Sequence, residues 1–143
     1  MPQFQLLFFS AALVAVTVVI HAAGLAELLK GFVRPSSPKQ LRVWPFTWIL
    51  IRVAWWLILM HLVEIAVWGL FYLWQGCMPD RNSAFYFAGV TYTTLGYGDL
   101  LLPLKWRLFG PIEAMTGILM CGLSTGAFFT ITSRLLQGQA QIE

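Results

Sequence analysis

The ten residues from Thr91 to Leu100 combine residue types that are unusual between long apolar segments: Thr-Tyr-Thr-Thr-Leu-Gly-Tyr-Gly-Asp-Leu. Gly96 and Gly98 can adopt left-handed backbone angles that are closed to most other residues. Alternation of ordinary and left-handed residues aims successive carbonyl oxygens in one direction. Because non-helical backbone at membrane depth must be buried or border water, such a row predicts a cation site. Its carbonyl oxygens would replace the hydration shell of the ion.

The composition indicates a membrane protein. Of the 143 residues, 59% are hydrophobic and 10% are charged, whereas soluble domains carry about 25% charged residues. We expect one domain without a separate soluble part, no nucleic-acid partner, no small-molecule substrate and no cofactor. Cys77 lies in a loop and Cys121 in an apolar run, so the sequence does not predict a disulfide between them.

Three apolar runs are long enough to cross a bilayer, which takes about 20 helical residues. They lie within residues 1–30, 46–74 and 108–136. A signal peptide is the alternative for the first run, but no basic residue precedes Lys30 and the run is too long. The second run carries tryptophans that we expect at headgroup depth: Trp44, Trp48, Trp68 and Trp74.

The linker at 31–45 sets the predicted topology. Its prolines, Pro45 included, predict a break between helices. Basic residues in and just before the linker place it in the cytoplasm by the positive-inside rule: Lys30, Arg34, Lys39 and Arg42. The N-terminus is then outside, and the short tail at 137–143 is cytoplasmic. A bacterial inner membrane is the expected location.

A short helix is predicted at 83–93, with Asp80, Asn82 or Ser83 as its N-cap. Eleven residues cover roughly 16 Å, which is half a bilayer. The C-terminal end of a helix carries partial negative charge. An end that points to mid-membrane would stabilise a cation where desolvation costs most.

The hexapeptide from Thr94 to Asp99 resembles the filter signature of potassium channels, Thr-Val-Gly-Tyr-Gly-Asp. Thr93 and the aromatic pair Tyr86-Phe87 are similar to the family's pore-helix pattern. The resemblance covers 46–136 and implies an outer helix at 46–74, a pore helix at 83–93, a filter at 94–98 and an inner helix at 108–136. The implied fold is an all-α integral membrane protein with three transmembrane helices, a re-entrant pore helix and a filter loop. The extra span at 1–30 resembles small bacterial potassium-channel-like proteins.

The resemblance implies passive, potassium-selective conduction by a homotetramer and no enzymatic activity. The implied K+ sites use backbone carbonyls and one hydroxyl, that of Thr94; the carbonyls belong to Thr94, Leu95, Gly96 and Tyr97. The Tyr97 ring is expected to pack on pore-helix aromatics. Residues expected to support the filter are Gly98, Asp99, Tyr86, Phe87 and Glu113.

Two positions depart from the family pattern. Leu95 replaces the commoner Val or Ile, which leaves a weakly selective cation channel as an alternative. Val90 stands where some relatives place a carboxylate, so Asp99 needs another partner: a tyrosine, Trp106 or a basic residue. A non-conducting accessory protein and an intramembrane enzyme are further alternatives, and the enzyme lacks a third ligand or a nucleophile.

The inner helix offers candidates for the cavity and gate. Gly117 is either a hinge, as in the family, or a site of close helix packing. Helical spacing predicts a cavity-lining stripe, with Phe129 as a constriction: Ile118, Cys121, Thr125, Phe129 and Thr132. A voltage-sensing helix with regularly spaced arginines is absent from the sequence.

His61 and Glu64 lie three residues apart and share a helix face in the second span. Ionisable residues inside membranes are candidates for function, and the pair is either pH-sensitive, part of a metal site or an interhelical hydrogen-bonding element. Two ligands are too few for a metal. For His21, in the first span, hydrogen bonding is the favoured interpretation.

Overall fold

A computed structural model describes residues 3–33 and 43–140, which are helical over most of their length. The helices are α1 (Gln3–Val33), α2 (Val43–Trp74), α3 (Arg81–Tyr92) and α4 (Phe109–Ala140), and a 3-10 turn, Leu104–Trp106, precedes α4. Over these ranges the chain forms no strand. Three segments are long and apolar enough to cross a membrane: Phe4–Gly31, Phe46–Trp74 and Leu104–Gln137. The prediction of an all-helical fold with three helices able to span a membrane is therefore confirmed.

The helices extend further than the sequence predicts. Both α1 and α2 continue into the linker predicted at 31–45, and α4 continues into the tail predicted at 137–143. Pro45 is the third residue of α2, where its missing N–H has no intrahelical acceptor to lose. The expectation that Pro45 breaks the helix is therefore wrong. Arg34, Lys39 and Arg42 lie outside the described residues.

The extra helix α1 packs against α2 and α4 of its own chain. Its buried side chains follow helical spacing, and three of the four are polar: Ser10, Leu13, Thr17 and His21. The indole Nε1 of Trp68 donates a hydrogen bond to Thr17 Oγ1 at 3.1 Å. Polar groups buried at membrane depth need such partners, so this face of α1 is specified for a protein neighbour rather than for lipid.

Trp68 corrects one expectation about the second span. Its side chain is fully buried and hydrogen-bonded to α1, so it faces a protein neighbour instead of lipid headgroups. Trp48 and Trp74 are exposed, as interfacial tryptophans are. The side chain of Trp44 lies outside the described residues.

An aromatic core holds α3 between α2 and α4. Phe71 of α2 stacks on Phe109 of α4, with ring centroids 5.2 Å apart. Trp106 meets the same Phe109 edge-on at 5.1 Å. Tyr72 of α2 contacts Phe87 of α3 at 5.3 Å. A second apolar cluster, nearer the linker, joins α2 to α4 through Val53, Leu57, Met60 and Ile131.

Asp80 is the N-cap of α3, so the structure selects it from the three residues predicted for this position. Its backbone is extended, with φ −150° and ψ 169°. One carboxylate oxygen accepts from the Ser83 amide at 2.9 Å, and the other accepts from the Ser83 hydroxyl at 2.7 Å. The cap starts α3 two residues earlier than predicted, and its 12 residues still cover only about 18 Å.

We expect Asp80→Ala to lower the Tm of the purified protein, because the first amides of α3 lose their acceptor. Asp80→Asn keeps an acceptor oxygen and should stay near the wild-type Tm. The Ser83 amide lowers the pKa of Asp80 below its ordinary 3.8. The cap therefore contributes stability above that pH and loses it as the pH falls through the folded-state pKa. Equal losses of Tm in both variants at pH 7 would contradict the capping role.

Candidate functional site

The segment after α3 folds back on the end of that helix. The Thr93 amide donates to the Gly89 carbonyl at 3.1 Å, and the Thr94 amide donates to Thr91 at 2.9 Å. The Gly96 amide then reaches the Val90 carbonyl at 3.2 Å. Carbonyls that a helix terminus leaves unpaired are therefore used to fix the start of the segment predicted as a filter.

The backbone of this segment alternates in handedness. Positive φ angles occur at Thr94 (62°), Gly96 (54°) and Gly98 (76°), and Leu95 and Tyr97 between them have negative φ. The glycine pattern matches the expected alternation. Positive φ at a β-branched residue such as Thr94 is an outlier that costs on the order of 1–3 kcal/mol. Such strain persists only where the surrounding structure enforces it, and it concentrates at functional sites.

The segment lacks cover on one side in a single chain. Every residue from Thr93 to Asp99 is exposed, and the side chains of Leu95 and Tyr97 are 59% and 67% exposed. Among the described residues, Tyr97 makes no ring contact with Tyr86 or Phe87. Its expected packing on pore-helix aromatics is therefore not made within one chain.

A hydrogen bond from α3 holds the far end of the segment. The Tyr86 hydroxyl donates to Asp99 Oδ2 at 2.7 Å, and Asp99 Oδ1 accepts from the Leu100 amide at 3.1 Å. Of the three partners proposed for Asp99, the structure selects a tyrosine. Trp106 is instead buried in the aromatic core.

Glu113 is held by α2. Its buried carboxylate accepts from the Tyr72 hydroxyl at 2.6 Å. Tyr72 in turn contacts Phe87, so Glu113 reaches α3 through α2.

The α4 face expected to line a cavity is open in one chain. Ile118, Cys121, Thr125 and Phe129 are exposed, and Thr132 is half-buried. Gly117 is different, because a Cβ there would lie 2.0 Å from the Tyr92 carbonyl oxygen. The structure thus provides the close-packing role for Gly117: α4 touches the backbone at the end of α3.

A buried polar cluster joins all four helices around Glu64. His21 Nδ1 of α1 lies 2.8 Å from Glu64 Oε1. The Tyr92 hydroxyl of α3 donates to Glu64 Oε2, and His61 Nδ1 lies 3.2 Å from the same oxygen. The other ring nitrogen of His61 lies 3.0 Å from Ser124 Oγ of α4.

Sequence reasoning placed His61 beside Glu64 but treated His21 separately and missed Tyr92 and Ser124. A histidine in the middle of α1 was a signal, since ionisable residues inside membranes are rare. Its partner was not readable, because 43 residues separate His21 from Glu64.

Three potential spans and a short helix that ends in a non-helical, left-handed segment define a membrane protein of the channel class. A family model described as "Ion channel" matches residues 58–134, which is more than half of the chain. The protein therefore belongs to this ion-channel family, that of two-span potassium channel pore domains. The family comprises ion transporters rather than enzymes. Comparisons with curated proteins and with solved structures give no match.

We expect Tyr86→Phe to loosen the far end of the segment, because Asp99 loses a donor. Hydrogen exchange of the amides at 98–100, measured in nanodiscs, should rise at least several-fold. Asp99→Asn keeps an acceptor and should change exchange less.

The bond to Asp99 raises the pKa of Tyr86 above its ordinary 10.0. The interaction is therefore present below pH 10 and lost as the pH rises through the folded-state pKa. An effect of Tyr86→Phe that differs between pH 6 and pH 9 would contradict this assignment.

We expect Gly117→Ala to destabilise the protein by about 1–3 kcal/mol, because the added methyl overlaps the Tyr92 carbonyl. Gly122→Ala is a matched control on the same helix, since a Cβ there meets nothing within 4 Å. Alanine favours a helix by up to about 1 kcal/mol over glycine, so the control should be neutral or stabilising. The Tm of both variants checks this, and equal values would show that the α3–α4 contact is not tight.

Proposed function

We propose that the protein is a potassium-selective channel in which four copies surround one axis and K+ crosses passively. The observation that carries the proposal is the alternating handedness at Thr94, Gly96 and Gly98 in a segment fixed to the end of α3. In an ion-channel family member, this is the backbone geometry that a row of carbonyl ligands requires.

The chemistry follows from the segment itself. Four carbonyls, from Thr94, Leu95, Gly96 and Tyr97, would present oxygens at successive levels, with the Thr94 hydroxyl at the inner end. Because these dipoles belong to the backbone, they are fixed before the ion arrives. Gly98 and Asp99 close the outer end, where the Tyr86 bond holds the carboxylate in place.

A tetramer explains the exposed side of the segment. Unpaired backbone groups in lipid cost several kcal/mol each, yet residues 93–99 are uncovered in one chain. A carbonyl filter needs four loops around the ion path, and each chain supplies one. In the tetramer, the open α4 face with Ile118, Cys121, Thr125 and Phe129 lines the cavity below.

Neighbouring subunits also account for two exposed side chains. In this proposal, Tyr97 packs against the adjacent subunit rather than against its own α3. Leu95 lies behind the filter and sets how firmly the carbonyls are held. With the linker in the cytoplasm, the end of the filter at Asp99 faces outside.

The decisive measurement is the reversal potential of the purified protein in a planar bilayer with K+ on one side and Na+ on the other. We expect it near the K+ equilibrium potential. Gly96→Ala should abolish selectivity, because a side chain at φ 54° costs roughly 1–2 kcal/mol in backbone strain. Gly122→Ala serves as the control and should keep the wild-type potential.

The other outcomes favour the alternatives. A wild-type reversal near zero would show a weakly selective cation channel with a filter loosened at Leu95. A folded protein without current would favour the accessory-protein function. Native mass spectrometry tests the assembly separately, and particles of fewer than four chains would overturn the shared filter.

A further inference from the structure

The cluster around Glu64 holds more ligand atoms than its hydrogen bonds use. Ligand atoms from His21, His61 and Glu64 all lie within 4.8 Å of one another. His21 Nε2 is buried and has no hydrogen-bond partner among the described residues. Buried polar atoms are nearly always satisfied, so one nitrogen of the His21 ring is not committed to a protein partner.

We propose that His21, His61 and Glu64 form a binding site for a transition-metal ion of the Zn2+ class. Two imidazoles and one carboxylate are a common ligand set for such ions, with water as the fourth ligand. His21 Nδ1 lies 2.8 Å from Oε1 of Glu64, and His61 Nδ1 lies 3.2 Å from Oε2. Both distances are near the ligand spacing around tetrahedral zinc, roughly 3.3 Å. The ligand nitrogens of the two histidines need to approach each other by about 1–1.5 Å at most to reach that spacing.

The surroundings of the cluster hold its ligands in the required orientation. Histidines that bind metals usually donate their second N–H to a nearby oxygen, which fixes the ring. With Nε2–H donating to Ser124 Oγ, at 3.0 Å, the Nδ1 lone pair of His61 faces Glu64. The Tyr92 hydroxyl donates to Oε2 and leaves Oε1 toward His21. One oxygen is thus oriented by Tyr92 while the other is available to the ion.

Charge and access also favour a cation. Glu64 is fully buried within a span, and its ion-pair partners among the described residues are the two histidines. A divalent ion would offset the carboxylate without protonation of either imidazole. The His61 side chain is 19% exposed, which provides a path for entry. The bound ion would tie α1 directly to α2.

The test uses the full-length protein, purified with a tag free of histidine and reconstituted in nanodiscs. We expect one Zn2+ per chain by elemental analysis. Co2+ substitution should give the visible absorption bands of a four-coordinate site. His21→Asn and Glu64→Gln should each weaken Co2+ affinity by at least about 100-fold, since loss of an outer partner alone costs 10–100-fold. Tyr92→Phe, which removes such an outer partner, should fall within that range.

Two controls separate this site from other ligands. Glu113→Gln removes the other buried carboxylate of the described spans, and Cys121→Ser removes the exposed thiol. Both should keep wild-type affinity. Added Zn2+ should raise the Tm of the wild type and of Glu113→Gln but not of His21→Asn. The proposal would be overturned if metal-free protein gave no visible absorption bands after Co2+ is added. Binding that depends on Cys121 rather than on His21 would also overturn it. Binding is measured without current, so its outcome is independent of ion selectivity.

Discussion

The buried carboxylate of Glu64 is the constraint around which the helices are arranged. An ionised side chain in the centre of a membrane helix costs at least about 2.5 kcal/mol and needs donors or positive charge close by. Here the polar neighbours of Glu64 are His21 from α1, His61 from α2 itself and Tyr92 from α3, and the Tyr92 hydroxyl donates to it. His61 extends the cluster to Ser124 of α4. Meeting the needs of one carboxylate thus fixes how four helices approach one another.

Tyr92 connects this cluster to the segment proposed as the filter. Its side chain is 1% exposed and bonds to Glu64, whereas its carbonyl lies against Gly117 of α4. Two residues later the left-handed segment begins at Thr94. The extra helix α1, which lies outside the family match at 58–134, therefore reaches the start of the segment through one carboxylate and one tyrosine. Because of these contacts, α1 is an integral part of the fold.

Local sequence patterns predicted the features that depend on nearby residues. The apolar runs gave three spans, and the spacing of Gly96 and Gly98 predicted the alternating backbone. The positive φ of Thr94 was not foreseen, because a β-branched residue adopts it only under constraint from its surroundings. The burial of Trp68 and the joining of His21 to Glu64 depend on how α1 packs against α2. Contacts between groups 43 or 51 residues apart leave no trace in the periodicity of either helix.

The close approach of Gly117 to the Tyr92 carbonyl separates α4 into a part packed against α3 and a part beyond that contact. N-terminal to Gly117, α4 packs against α3 and the aromatic core, so tilting that part would also move the segment proposed as the filter. Below it, Gly122 and Gly126 have open space where a side chain would be. In the proposed channel, a bend of α4 that leaves the filter segment in place would have to occur in that part. It would work against the contacts of Ser124 with His61 and of Ile131 with α2. In that proposal, Gly117 marks the end of the part of α4 that is fixed against α3, and any part that moves begins C-terminal to it.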